Sequence, residues 1–207
     1  MGNTSEFQKL LNEHLMQTAG VDTEKQLSDN DKSILLKIAR NTLKTFLETR
    51  EIPEVVSDQA SLLQPKATFV TLRKKDTNEL RGCKGEIFPS KPLAEAVQNT
   101  AISSATSDPR FCEVSAGELP NIKIEISVLK PIKPIKPEEV VIGRHGLVIS
   151  KGSRTGLLLP HVPIVYNLDK ETYLKEICFK AGLKENALED ENTDLYGFEA
   201  EVFEESV

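Results

Sequence analysis

Cys83 stands in the string Leu80-Arg81-Gly82-Cys83-Lys84-Gly85, a thiol with an arginine two positions before it and a lysine directly after it. A thiol reacts as its thiolate, a form favoured by neighbouring cations or a helix N-terminus. Arg81, Lys84 and the helix that follows are the local sources of such help, and on that reading Cys83 is the candidate catalytic nucleophile. The plainer reading is a small side chain buried in a turn, since the sequence fixes no histidine or asparagine beside it. Gly82 and Gly85 suit a tight turn that needs positive φ or the close approach of another group.

A second string, Asp108-Pro109-Arg110-Phe111, brings another guanidinium. Arg81 and Arg110 together would make a planar fork for phosphate or carboxylate. Alternatively each pairs with a structural acid such as Glu79, Asp108 or Glu113. Gly82, Lys84, Gly85 and His161 complete the candidate ligand-binding set, His161 as a base. Arg73, Lys74, Lys75, Arg81 and Lys84 form a local run of cations, read either as a basic patch or as a solvated strand end and turn. Cys83, Cys112 and His161 lack the close pairing of metal ligands, so no metal site is assigned. Neither a phosphate-cradling G-x-x-x-x-G-K-S/T loop nor a dinucleotide fingerprint occurs, and the sequence names no cofactor.

The elements that must position these groups follow from periodicity. Ser90 is an expected cap, Pro92 fits the first turn, and Leu93, Val97, Ala101 and Ala105 line one face of a helix running to about Ser107. Asp108-Pro109 ends it, which puts Arg110 at its C-terminal end and Arg81 near its beginning. Lys66 to Lys74 reads as a strand and Asp76-Thr77-Asn78 as its turn, so Cys83 falls at or just past the end of the returning strand. From Asn121 to Leu129, Ile122, Ile124, Ile126 and Val128 alternate with Lys123, Glu125 and Ser127, one face core and the other facing water.

Elsewhere, Phe7, Leu10, Leu11 and Leu15 make a short helical stripe, and a firm helix starts at Ser28 or Asp29 and runs to about Thr49. The prolines of 131–137 favour an extended or edge segment. Residues 147–150 and 157–159 read as a hairpin, Asp169 caps a helix ended by Gly182, and Tyr196 to Val202 alternates as a final strand. Cys178 falls on the apolar face of the helix capped by Asp169. Helices mixed with hairpin-linked strands predict an α+β fold, a mostly antiparallel sheet flanked by helices.

The strings LRGCKG, DPRF, ELPNIKIEISVL, KGSRTGLLLP and YGFEAEVF, in that order, resemble the AMMECR domain family, named for the Alport syndrome, midface hypoplasia and elliptocytosis chromosomal region. The resemblance implies a domain over 28–205, built as two packed subdomains sharing one core, after an N-terminal extension over 1–27. It also implies an association with Memo-like and radical-SAM proteins, hence a possible protein partner, without implying a reaction. This chain departs from the family pattern at His161, where glutamine is usual, at Lys84, where an apolar residue is usual, and at Cys112, where proline is usual.

Composition bounds the remaining choices. Lys plus Arg number 26 against 32 Asp plus Glu, a net charge of −6, and such an acidic chain is a poor non-specific binder of nucleic acid. Three cysteines without a C-x-x-C pair argue for free thiols in a reducing compartment. No apolar run reaches bilayer length and the start lacks a secretory signal, so no membrane partner and a cytoplasmic location are expected. A glutamate at position 6 speaks against N-myristoylation. The expected function is binding or modification of a small anionic or nucleotide-like ligand through LRGCKG. The alternative is a non-catalytic protein-interaction module.

Overall fold

The computed structural model describes residues 6–18 and 26–206. The Met1-Gly2-Asn3 start and most of the polar stretch after the first helix lie outside the described residues. In chain order the helices are α1 (Glu6–Thr18), α2 (Asp29–Thr49), α3 (Ala60–Leu63), α4 (Leu93–Thr106), α5 (Val162–Val165) and α6 (Lys170–Lys180). The strands are β1 (Thr68–Lys74), β2 (Leu80–Glu86), β3 (Ile122–Leu129), β4 (Lys133–Pro134), β5 (Gly146–Lys151), β6 (Arg154–Leu158), β7 (Asp194–Phe198) and β8 (Ala200–Glu204). They form two four-stranded sheets, ordered β2-β1-β3-β8 and β4-β7-β5-β6, and the fold is α+β. The chain divides into two compact units, 25–129 with 201–207, and 1–24 with 130–200.

In the unit of 25–129 and 201–207, β1 pairs antiparallel with both β2 and β3. Ile122, Ile124 and Ile126 are fully buried together with Val70, Leu72, Leu93, Val97 and Ala101, so the apolar side of the β3 alternation and the small-residue face of α4 make one core. The opposite side of β3 departs from expectation. Ser127 is 4% exposed, and the Lys123 and Glu125 side chains are only 12% and 14% exposed. Helix α2 opens with a capping box in which Ser28 and Asp31 exchange hydrogen bonds, satisfying N–H groups that have no partner within the helix.

In the unit of 1–24 and 130–200, β5 pairs antiparallel with β6 and β7, and the Lys133–Pro134 strand lies at the edge, where a residue without N–H is tolerated. Tyr173, Ile177 and Cys178 of α6 are fully buried against Leu147 and Ile149. The Asp169 carboxylate caps that helix by accepting the Thr172 N–H, and Gly182 follows it at φ 67°. Helix α1 belongs to this unit: Leu11 is fully buried, and His14 Nε2 accepts the Ile132 N–H at 3.3 Å. That bond needs an unprotonated nitrogen, and burial lowers the His14 pKa in keeping with it.

The expected final strand is broken. Glu199 separates β7 from β8, accepting Lys130 at 2.7 Å and Arg144 at 2.5 Å, and the two halves join different sheets. The alternation changes phase at the break, leaving Val202 54% exposed while Phe203 packs on the core.

Ile124→Ala should destabilise the protein by about 2 to 5 kcal/mol, the range for truncating a fully buried isoleucine. Urea denaturation of the two proteins measures the difference, and an unchanged midpoint would contradict the placement of that face in the core.

Candidate functional site

LRGCKG is an edge strand, not a loop. Cys83 sits in the middle of β2, and neither Gly82 nor Gly85 has positive φ. The glycines serve close approach instead. A β-carbon on Gly82 would collide with the Ser104 carbonyl oxygen of α4, and one on Gly85 with the ring of Phe69. Helix α4 begins two residues later than Ser90 would give, at Leu93 after Pro92, and the Ser90 hydroxyl donates to Glu86.

Side chains alternate along a strand, so neighbours in the string part company. The register sets Cys83 opposite Thr71, and Thr71 opposite Glu125 of β3. Lys84 pairs with Val70 and Gly82 with Leu72, on the face that meets α4. Cys83 therefore shares its face with Thr71, Arg73, Lys123 and Glu125. The Thr71 hydroxyl donates to Cys83 Sγ at 3.4 Å. His161 belongs to the other unit, where its carbonyl accepts the N–H groups of Ile164 and Val165 at the start of α5.

Both motif arginines hold acids. Arg81 grips Glu118 through Nε at 2.6 Å and Nη2 at 3.1 Å and donates to the carbonyls of Cys112 and Glu113. It ties β2 to the segment after α4, at the opposite end from the helix start, and holds the Glu118 carboxyl below its usual range. Arg110 forks Asp108 at 3.0 and 2.7 Å. Asp108 also accepts the backbone N–H groups of Cys83 and Arg110. These bonds, the Arg110 guanidinium first, hold the Asp108 carboxyl well below the ordinary aspartate value. The adjacent edge N–H, that of Lys84, donates to the Ser104 hydroxyl.

Burial pushes the Cys83 thiol up, and the Thr71 hydrogen bond and Arg110 charge oppose that shift only in part. The direction is opposite to the one a thiolate nucleophile needs. All three cysteines are free, Cys112 exposed and Cys178 buried, and no group of three metal-binding side chains occurs among the described residues. Sequence reasoning named Asp108 as a partner but missed Thr71, Glu125 and Glu118. Period-two pairing of β1 with its neighbours was the only signal for the first two.

The AMMECR1 family pattern matches residues 36–203. The chain belongs to the AMMECR1 family. Within it, Protein MK0488 of Methanopyrus kandleri is 40% identical over 188 residues, covering 87% of this chain and 91% of its own. Protein PYRAB00100 of Pyrococcus abyssi is 39% identical over 190 residues, covering 87% and 93%. The crystal structure of the uncharacterized protein PH0010 from Pyrococcus horikoshii superposes with a TM-score of 0.82 at 38% identity, over 87% of this chain and 94% of that one. The AMMECR1 assignment agrees with the order of motifs from LRGCKG to YGFEAEVF.

Two outcomes are expected from this geometry. A carboxylate whose folded pKa is depressed stabilises above its unfolded pKa, and that stability is lost as pH falls through the folded value. Stability should therefore decline below about pH 4, and Asp108→Asn should be less stable near neutrality with a shallower acid decline; equal acid slopes in urea titrations would contradict the assignment. On alkylation with iodoacetamide, Cys112 should react first, Cys83 more slowly with an apparent pKa above the ordinary thiol value of about 8.5, and Cys178 last. Peptide mapping across pH gives the order, and Cys83 reacting first with a lowered pKa would overturn it.

Proposed function

We propose that the protein binds a small anionic ligand on the β1–β2–β3 face around Cys83, with Arg73 as the cation and Cys83 as a neutral thiol contact. The observation that carries this reading is the loose pairing of Arg73. Its guanidinium reaches Glu125 at 3.7 Å and the Asn78 carbonyl at 3.4 Å, where Arg81 and Arg110 come within 2.6 and 2.7 Å of their carboxylates. Charge-assisted hydrogen bonds shorten to about 2.7–2.9 Å when made well, so Arg73 keeps donors for an incoming anion. Its side chain is 19% exposed, and a partly desolvated cation attracts an anion more strongly than one in bulk water. Phe69, packed over the Cα of Gly85, offers an apolar neighbour suited to a nucleotide-like ligand. The raised thiol pKa favours binding without a covalent step at Cys83. Three free thiols fit a reducing compartment, and we place the protein in the cytoplasm on that basis. No helix among the described residues is long and apolar enough to cross a membrane.

An interaction-module reading draws on a different observation. Ile164, Val165 and Tyr166 in the other unit are 60%, 64% and 70% exposed, an apolar cluster of the kind that partners cover.

A thermal-shift screen of phosphate- and carboxylate-bearing metabolites should find an anion that raises the melting temperature, because a ligand bound only by the native state stabilises it. Arg73→Ala should weaken that anion by about tenfold or more, and Cys83→Ser should retain binding. A screen with no stabilising anion, or unchanged affinity in Arg73→Ala, would refute the ligand reading.

A further inference from the structure

A cavity that shares no residue with the face at Cys83 opens along α2. It has a volume of about 710 Å³ and is lined by a stripe of α2 together with Lys75, Pro120 and the segment 203–206. That volume lies within the range of small-molecule sites. The α2 contributors are Asp29, Lys32, Ser33, Leu36, Lys37, Arg40 and Asn41. Their spacing of three and four is that of one helix face, so the groove follows the helix.

The charges along this groove are ordered. Arg40 pairs with Glu205 and donates to the carbonyls of Leu119 and Ile122, and Lys75 N–H donates to the Asn121 carbonyl. Arg40, Lys75 and Pro120 therefore lie at one end, with Lys37 one turn away. Lys32 approaches Glu201 at 3.7 Å at the other end, near Asp29. Leu36 and Phe203, both half-buried on the core, lie between.

Most of the acids are already matched. Glu205 is held by Arg40 and Glu204 by Lys123 at 2.9 Å, and Asp29 sits in the first turn of α2, where the helix dipole favours negative charge. Lys37 and Lys75 are exposed and make no side-chain ion pair among the described residues. Lys37 and Lys75 thus leave two cations at one end of a groove whose middle is partly apolar, available to an anion.

We propose that this groove is a binding site for a nucleoside monophosphate. The phosphate lies between Lys37 and Lys75, the ring system covers Leu36 and Phe203, and an exocyclic amine turns toward Asp29. Asp29 to Lys37 spans about 12 Å at 1.5 Å rise per residue, a separation that a mononucleotide bridges from amine to phosphate and free phosphate does not. An acid at one end and lysines at the other fix the ligand's direction, and the apolar middle adds stacking to the ion pairing.

The test is isothermal titration of the full chain with adenosine 5′-monophosphate, adenosine and inorganic phosphate. Adenosine monophosphate should bind more tightly than either fragment. The double variant Lys37→Ala, Lys75→Ala should lower its affinity by about tenfold or more, and Lys37→Arg, Lys75→Arg should restore it. Both lysines are exposed, so circular dichroism and the melting temperature should match the parent protein. Equal affinity for the nucleotide and inorganic phosphate, no binding of the nucleotide, or unchanged affinity in the double alanine variant would overturn the proposal.

Discussion

The Asp108 carboxylate organises the motif region. It receives the Cys83 N–H from the edge strand, the Arg110 N–H from its own loop and two guanidinium donors from Arg110, while its side chain is 2% exposed. An ionised group so well shielded is tolerated only when its oxygens are saturated with donors. Here saturation comes from both sides of the α4–β2 junction, so one anion, two residues past the end of α4, satisfies a sheet edge and sets the position of Arg110. The neighbouring Lys84 N–H is met in the same way by Ser104. Bare strand edges invite pairing with other chains, and at these two positions polar side chains from α4 and its following loop occupy the edge.

This arrangement changes what the two motif strings mean chemically. Read linearly, Arg81, Cys83 and Lys84 looked like one cationic cradle for a thiolate. Strand geometry sends Lys84 to the α4 face and Cys83 to the face of Thr71 and Glu125, while Arg81 is committed to Glu118. What remains around the thiol is a half-buried polar sheet surface containing Thr71, Arg73, Lys123 and Glu125. Burial then outweighs the nearby positive charge in setting the state of the sulfur.

Much of the fold was legible because it rests on local signals. The Ser28 and Asp169 caps, Gly182, the apolar side of β3 and the small-residue face of α4 are all written in short windows, and each of these features is present. The α+β class followed from the hairpins. Most of the misreadings share a cause, since they needed a partner distant in sequence. Gly82 and Gly85 suggested a tight turn, yet they lie within β2, and of the two reasons offered for them it is close approach, by Ser104 and Phe69, that holds. The polar side of β3 suggested water, yet Ser127 is buried. The last strand kept its alternation on paper through Glu199, which lies outside both β7 and β8 and pairs with two distant cations.

That break at Glu199 bears on how the chain reaches its native state. β8 follows every other described element in order of synthesis, yet it completes the sheet begun by β1 and β2 and supplies Phe203 to the core of 25–129. A nascent chain that has made α2 through β3 therefore holds a three-stranded sheet whose β3 edge is unpaired until β8 arrives, after all of β4 to β7 has been made. Unpaired edges and exposed core surface are the features of aggregation-prone intermediates. The discontinuity of the two units thus makes completion of one sheet wait on translation of the other.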